Sequence, residues 1–472
     1  MKWQEIGDSE SGTSENASIK RHMSAVGRAF EAGTWPPEMN MLEPTINVLL
    51  YLERPIDATA MADALERHMW PSHRFSCCMN KGMWESRHST MDRSYHVREL
   101  SGFADEAAVD NWVQAEMVKP LDKSFPIWRV TLFPLPPPHR SAMFAQIHHS
   151  IGDGLSLLFA FTPMISCEGG DPLSKIPLPN ALLPPERRNV ASKEAKVSSG
   201  SKGGCCKVPC DFLHGALTPV LIKYDSEFSL NYPLSERLPF IGYNGSRRFT
   251  RFPMVPMSIV KHIKERHHCS VNDVLMAVLV GALRRYGAEV RGDMQLKAGG
   301  GRLEFKSIVM IGLPRPIDES DLAGGLTNKM LFVSCPLPID EPTPLGRLDR
   351  TIAAFNNLKS PSYIAGMAGL TSFVNSVAPT SVLRKTASEV FSKHSILVTN
   401  VPSFSVPVKI PEEQGSEMRE MHMVFPNIIP QVSMITYNGH VCCNIVADPG
   451  LYPQPEALSQ IFVEEFSVLE NA

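Results

Sequence analysis

The chain has 472 residues, of which 43% are hydrophobic and 20% charged, the balance of a folded globular protein rather than a disordered one, and its length exceeds what one hydrophobic core usually takes. A formal net charge of −3 excludes a nucleic-acid partner held by bulk charge. Ten cysteines include three adjacent pairs but no Cys-x-x-Cys spacing, which points to reduced, intracellular usage rather than a disulfide framework or a zinc site.

MKWQEIGDSESGTSENASIK (1–20) is polar and lacks the apolar stretch of a secretory signal, and residues 1–30 read as a flexible tail. TINVLLYL (45–52) has β character, and ATAMADALERHMW (58–70) reads as a helix. A polar segment and a second helix around Asp105–Val118 follow. WRVTLFPL and SAMFAQIHH are strand-like runs separated by PPPHR, and GLSLLFAFTPMI (154–165) has helical length and pattern. Strands mixed with helices in this way predict an α/β domain over 31–165.

The composition then shifts to Pro, Ser, Gly and Lys, which predicts an interdomain linker over 166–240. Cys205 and Cys206 lie in it beside lysines, as ordinary thiols or as sites of reversible acylation. A second α/β domain is expected over 241–472. SIVKHIKER is helical. VNDVLMAVLVGALRRYG (271–287) reads as a buried helix capped by Ser270 or Asn272, with Gly287 near its end. Strand-like runs SIVMIGL, MLFVSCPLP, SILVTNVP, VSMITYN and HVCCNIVAD follow, with helices near 344–358, 363–376 and 455–468. The uncharged segment Ser360–Leu383 spaces its larger apolar residues helically. It reads as an amphipathic core or surface helix, or as one lying in a membrane interface, rather than as a membrane span.

QIHHSIGDGLSLL (146–158) carries the candidate chemistry. A strand delivers His148 and His149 to its end, two glycines permit a tight path, and a helix begins. A neutral imidazole can take a proton from a hydroxyl near working pH. Adjacent residues on an extended segment point to opposite sides, so one histidine can face a cavity while the other packs inward. Asp153 can contact a histidine, hold the loop, or simply cap the helix. His267–His268 has no Asp-Gly behind it and reads as a helix end. A Gly-x-Ser-x-Gly elbow, a Walker A loop and a His-Glu-x-x-His zinc motif are all absent from the sequence.

HHSIGDG matches the His-His-x-x-x-Asp-Gly motif of the CoA-dependent acyltransferase superfamily, which includes chloramphenicol acetyltransferases and peptide-synthetase condensation domains. Further blocks narrow the likeness. PLDKSFPIWRVTLF (120–133), SVNDVLMAVLVGALRRY (270–286), LTNKMLFVSCPLP (326–338), TNVPSFSVPVKI (399–410) and SMITYNGHVCCNIVADPGLYP (433–453) resemble, in order, segments of the wax ester synthase/diacylglycerol acyltransferases. Ile127, Thr327, Ser403 and Phe404 depart from that pattern, and the Asp-Phe-Gly-Trp-Gly motif of plant hydroxyl acyltransferases is absent.

The resemblance implies two chloramphenicol-acetyltransferase-like domains, each a mixed β-sheet with flanking helices, and an active-site tunnel at their interface. It implies transfer of a long-chain acyl group from acyl-CoA to a fatty alcohol or diacylglycerol. It makes His149 the general base, with His148 in support and Asp153 holding the loop, for which Arg315 in GLPRP is a partner. Gly154 and Asn272 are candidates for substrate or oxyanion contact, Asn272 alternatively a helix cap, and Trp128 a packing residue. No cofactor or metal is called for beyond acyl-CoA as co-substrate. A lipid product implies contact with the endoplasmic reticulum, another membrane surface or a lipid droplet. A soluble enzyme acting on a smaller alcohol or amine, or a silent lipid-binding protein on the same fold, are the alternatives.

Overall fold

A computed structural model describes residues 20–23, 27, 28, 31, 42–177, 213, 221–237, 241–298, 301–313, 321, 322 and 324–472. Two seven-stranded sheets organise them. Strands are numbered in chain order. The first sheet runs β5 (Val97–Glu99), β6 (Trp128–Phe133), β7 (Ser141–His148), β2 (Thr45–Leu52), β15 (Ser416–Val424), β14 (Val408–Ile410) and β8 (Ser166–Cys167). The second runs β10 (Val255–Pro256), β17 (His440–Ala447), β16 (Gln431–Tyr437), β13 (Ile396–Pro402), β11 (Lys306–Gly312) and β12 (Met330–Pro336), with β9 (Arg248–Arg251) also paired to β17. Both mix parallel and antiparallel pairs. A small third sheet joins β1 (Lys20–His22), β4 (Met83–Glu85) and β3 (Cys78–Asn80), so residues 20–22 of the expected tail pair with the first half.

The central pair of the first sheet explains the run of apolar residues in TINVLLYL. β2 and β7 are antiparallel over eight residues, from Thr45 opposite His148 to Leu52 opposite Ser141, and β7 is buried throughout. Alternation sends Leu49, Tyr51 and Phe144 to one face, against Val109 and Val113 of a helix, Glu106–Glu116. Leu50 and Leu52 go to the other, against Met61 and Leu65 of a helix, Ala58–His68. In chain order these helices are α1 (Ala58–His68) and α2 (Glu106–Glu116), followed by α3 (Gly154–Phe161), α4 (Met257–Arg266) and α5 (Val271–Arg285).

Between the two large sheets, membership departs from chain order after β13. There the chain leaves the second sheet, adds β14 and β15 to the first beyond β2, and returns as β16. Residues 222–237, inside the expected connecting segment, supply Phe228, Leu230 and Tyr232 to the second core. The linker cysteines Cys205 and Cys206 lie outside the described residues.

Helix α5 is the spine of that core and is buried from Asp273 through Arg284. Its cap is Ser270, in a reciprocal box with Asp273. Asn272 therefore does not cap it. Gly281 is required by close packing, because a Cβ there would fall 2.0 Å from Glu465 Oε2 on the C-terminal helix Pro455–Glu470. That glutamate pairs with Arg347 at 3.0 Å. The segment Ser360–Leu383 forms two helices rather than one, Pro361–Val377 and Thr380–Ser392, broken at Pro379. Tyr363 and Met367 pack into the core, whereas Phe373 and Val377 are 64% and 62% exposed. Among the described residues, no helix is long and apolar enough to cross a membrane.

Burial holds several histidines neutral. His96, stacked on Trp128 at 4.0 Å, and His394 are pushed down to about 4, and His148 to about 3. The unfolded chain would protonate each near the ordinary 6.5, so it binds more protons at lower pH and stability drains away as pH falls. Urea midpoints are expected to fall steadily from about pH 6.5 to about pH 4; a flat profile across that window would contradict burial of these rings in the neutral form.

Candidate active site

Strand β7 ends at His148, and a five-residue turn leads to α3 at Gly154. The two histidine rings have different surroundings. His148 is 1% exposed, and its Nδ1 accepts from the Ser150 N–H at 3.2 Å with the Ser150 hydroxyl 2.8 Å away. An accepting Nδ1 places the hydrogen on Nε2. Burial is the main cause of its low pKa, with His149 and Lys123 adding to it.

His149 is anchored by its backbone N–H to the Pro44 carbonyl at 2.7 Å. Its Nδ1 lies 3.0 Å from Asn328 Oδ1, and its ring meets Phe425 edge-on at a centroid distance of 6.1 Å. Burial lowers its pKa, and the nearby Asp153 charge and hydrogen bonds offset this only in part. The ring is therefore neutral at neutral pH, the form that can accept a proton.

Asp153 does two things at once. Oδ1 accepts from the Ser156 N–H at 2.9 Å, capping α3, and Oδ2 accepts from the Lys329 N–H at 2.9 Å. Its own N–H donates to the Thr327 carbonyl at 3.0 Å, which also takes the Ser156 hydroxyl at 2.9 Å. The motif turn is thus bonded to residues 327–329, which lead into β12 of the second sheet. Gly152 is fitted to that contact: a Cβ there would lie 2.7 Å from Ser156 Oγ and 3.0 Å from Leu326 Cδ2.

The other candidates divide. Gly154 is the first residue of α3, with room for a Cβ only at 3.2 Å from Met423 Cε. Asn272 is exposed, and its Oδ1 accepts from Asn400 at 2.6 Å, so its side chain bonds there and not to the motif turn. Arg315 lies outside the described residues. Trp128 is a packing residue, its indole N–H donating to the Phe75 carbonyl at 2.7 Å and its ring T-shaped to Phe75. Sequence reasoning missed Asn328, Thr327 and Ser156. The block LTNKM contained the first two, but a contact spanning 179 positions leaves no local pattern. Among the described residues, no cluster of His, Cys, Asp or Glu could hold a metal ion.

A model of the wax ester synthase/diacylglycerol acyltransferase catalytic domain matches residues 38–275, and one of the WS/DGAT C-terminal domain matches 326–470. The chain belongs to the wax ester synthase/diacylglycerol acyltransferase family. A Mycobacterium bovis protein provisionally named a diacylglycerol O-acyltransferase is similar to it at 25% identity over 246 residues, 49% of this chain and 47% of that one. The matched stretch thus spans about half the length of that curated relative. The wax ester synthase/diacylglycerol acyltransferase of Marinobacter aquaeolei VT8 superposes with a TM-score of 0.62 at 18% identity, covering 95% of this chain and 98% of that one. The first condensation domain of the CDA synthetase follows at 0.57 and 12% identity, covering 96% and 97%. These likenesses show the two-domain fold. They place this WS/DGAT family member on the scaffold expected from its motif.

Replacing Asp153 by Asn retains one carboxamide oxygen where two carboxylate oxygens now accept. The variant is expected to lose about 1–3 kcal/mol of stability in urea denaturation, since a buried N–H is left unpaired. A wild-type midpoint would show that the double attachment of Asp153 contributes nothing.

Proposed function

We propose that the protein is an acyl-CoA-dependent O-acyltransferase that makes wax esters, triacylglycerol or both, with His149 as general base. The observation that supports this reading best is a buried neutral imidazole whose Nδ1 side is occupied by Asn328, which leaves proton acceptance to Nε2. Nε2 removes the hydroxyl proton of the fatty alcohol or diacylglycerol as its oxygen attacks the thioester carbonyl. The tetrahedral adduct collapses, the carbon–sulfur bond breaks, and the imidazolium returns its proton to the departing CoA thiolate. The ester and free CoA account for every atom, and no metal or further cofactor is needed.

His148, neutral across the working range, supports the turn instead of exchanging protons. Gly154 at the start of α3 is the backbone candidate for contact with the developing oxyanion. Contact with a membrane or lipid-droplet surface belongs to the same reading. Phe373, Val377 and Val382, the last 49% exposed, offer apolar side chains on either side of the break at Pro379.

The test is to incubate the purified protein with palmitoyl-CoA and vesicles carrying hexadecanol or diacylglycerol, and to follow thiol release, lipid product and co-sedimentation. Wild type should form ester and sediment with the vesicles. His149→Ala should lose on the order of 10²–10⁴-fold in rate with its fold intact. Equal activity in that variant would refute the assigned base, and no product with any acceptor would favour a silent lipid-binding protein.

A further inference from the structure

We infer that Asn328 is the positioning residue that fixes the tautomer of His149, and that it does so from the opposite half of the molecule. The inference rests on the reading of His149 as base. A neutral imidazole has one N–H, and which nitrogen carries it decides whether Nε2 can accept a proton. One acceptor meets this side of the ring: Asn328 Oδ1 lies 3.0 Å from Nδ1. It demands the hydrogen on Nδ1 and leaves the lone pair on Nε2.

The direction of the amide matters. Turned end for end, Asn328 would present N–H groups to Nδ1 and push the hydrogen to Nε2. In the orientation observed, Nδ2 is the buried atom without a partner.

Asn328 is held on both sides by the turn it serves. The carbonyl of Thr327 takes the Asp153 N–H and the Ser156 hydroxyl, and the N–H of Lys329 reaches Asp153 Oδ2. Lys329 in turn accepts from the Leu313 N–H at 2.9 Å, which ties the segment to the second sheet beside β11. Asp153 therefore acts on His149 partly through Asn328: the carboxylate that starts α3 also sets the backbone on which the amide stands.

The test uses the full chain with 15N-labelled histidine, in wild type, Asn328→Ala and Asn328→Asp. Subtraction of the His149→Ala spectrum assigns the ring, and urea midpoints confirm folding. Wild type should show the Nδ1–H tautomer, and Asn328→Ala a mixture of both. Asn328→Ala should lose on the order of 10- to 100-fold in kcat with KM little changed, as expected for removal of an orienting partner. Asn328→Asp, which can only accept and adds charge, should keep the tautomer. It should also move the acidic limb of kcat/KM upward by one pH unit or more, because a carboxylate favours the imidazolium. An Nε2–H ring in wild type, or an Asn328→Ala spectrum and pH profile that superimpose on wild type, would overturn the inference. If wild type transfers no acyl group at all, the proposed reaction fails, while the ring spectra still decide the role of Asn328.

Discussion

The structure turns on the hydrogen bonds between the histidine turn and the segment that enters β12. One aspartate, Asp153, has to be an N-cap, an acceptor for the Lys329 N–H and a donor to the Thr327 carbonyl. Those demands place the start of α3 against the segment that leads into β12 of the other sheet. They leave His149 between its own strand end, Asn328 and Phe425. A ring held this way cannot be placed by either half alone, which gives a physical reason for the two halves to share this turn.

Other contacts hold the same alignment. β14 and β15 carry the chain from the second sheet into the first, so the halves share hydrogen-bonded strands as well as surface. Near them, Arg251 of β9 bonds Asp110 at 2.8 Å and stacks on Tyr51 at 4.3 Å, while Arg140 reaches Glu420 of β15 at 2.7 Å. Burial opposes it, yet His422 and then the two arginines hold the Glu420 carboxyl far below the usual carboxylate range. Buried charge clusters add less stability than their Coulomb attraction suggests, because desolvation offsets it. Their effect here is to specify one docking geometry, since a displaced half would leave these charges unpaired.

Much of this was legible in the residues. β2, β7, α3 and α5 carry local signals: apolar runs, helical spacing, and Ser or Asp at the helix start. The turn at HHSIGDG could be read as both a cap and a chemical site, and the structure shows the cap directly. The hidden parts are those decided by distant partners. SEMREMHMV is rich in Met, Glu and Arg, which favour helices, and becomes β15 because it pairs with β2. Pro379 splits an apolar segment that reads as one helix. Asn272 looked like a cap or an oxyanion donor, but Ser270 takes the cap and Asn400 takes the side chain. Asn328 looked like one residue of a recurring block, and its task appears only when the chain closes.

The central claim is that His149 carries the proton both ways within one complex of enzyme, acyl-CoA and acceptor, so that no acyl group is ever attached to the protein. Intact-protein mass measured after mixing with palmitoyl-CoA alone, alongside thiol release, tests it most directly. The account predicts an unchanged mass and thiol release only after an alcohol or diacylglycerol is added. A burst of thiol without acceptor, together with a protein heavier by one palmitoyl group, would contradict it.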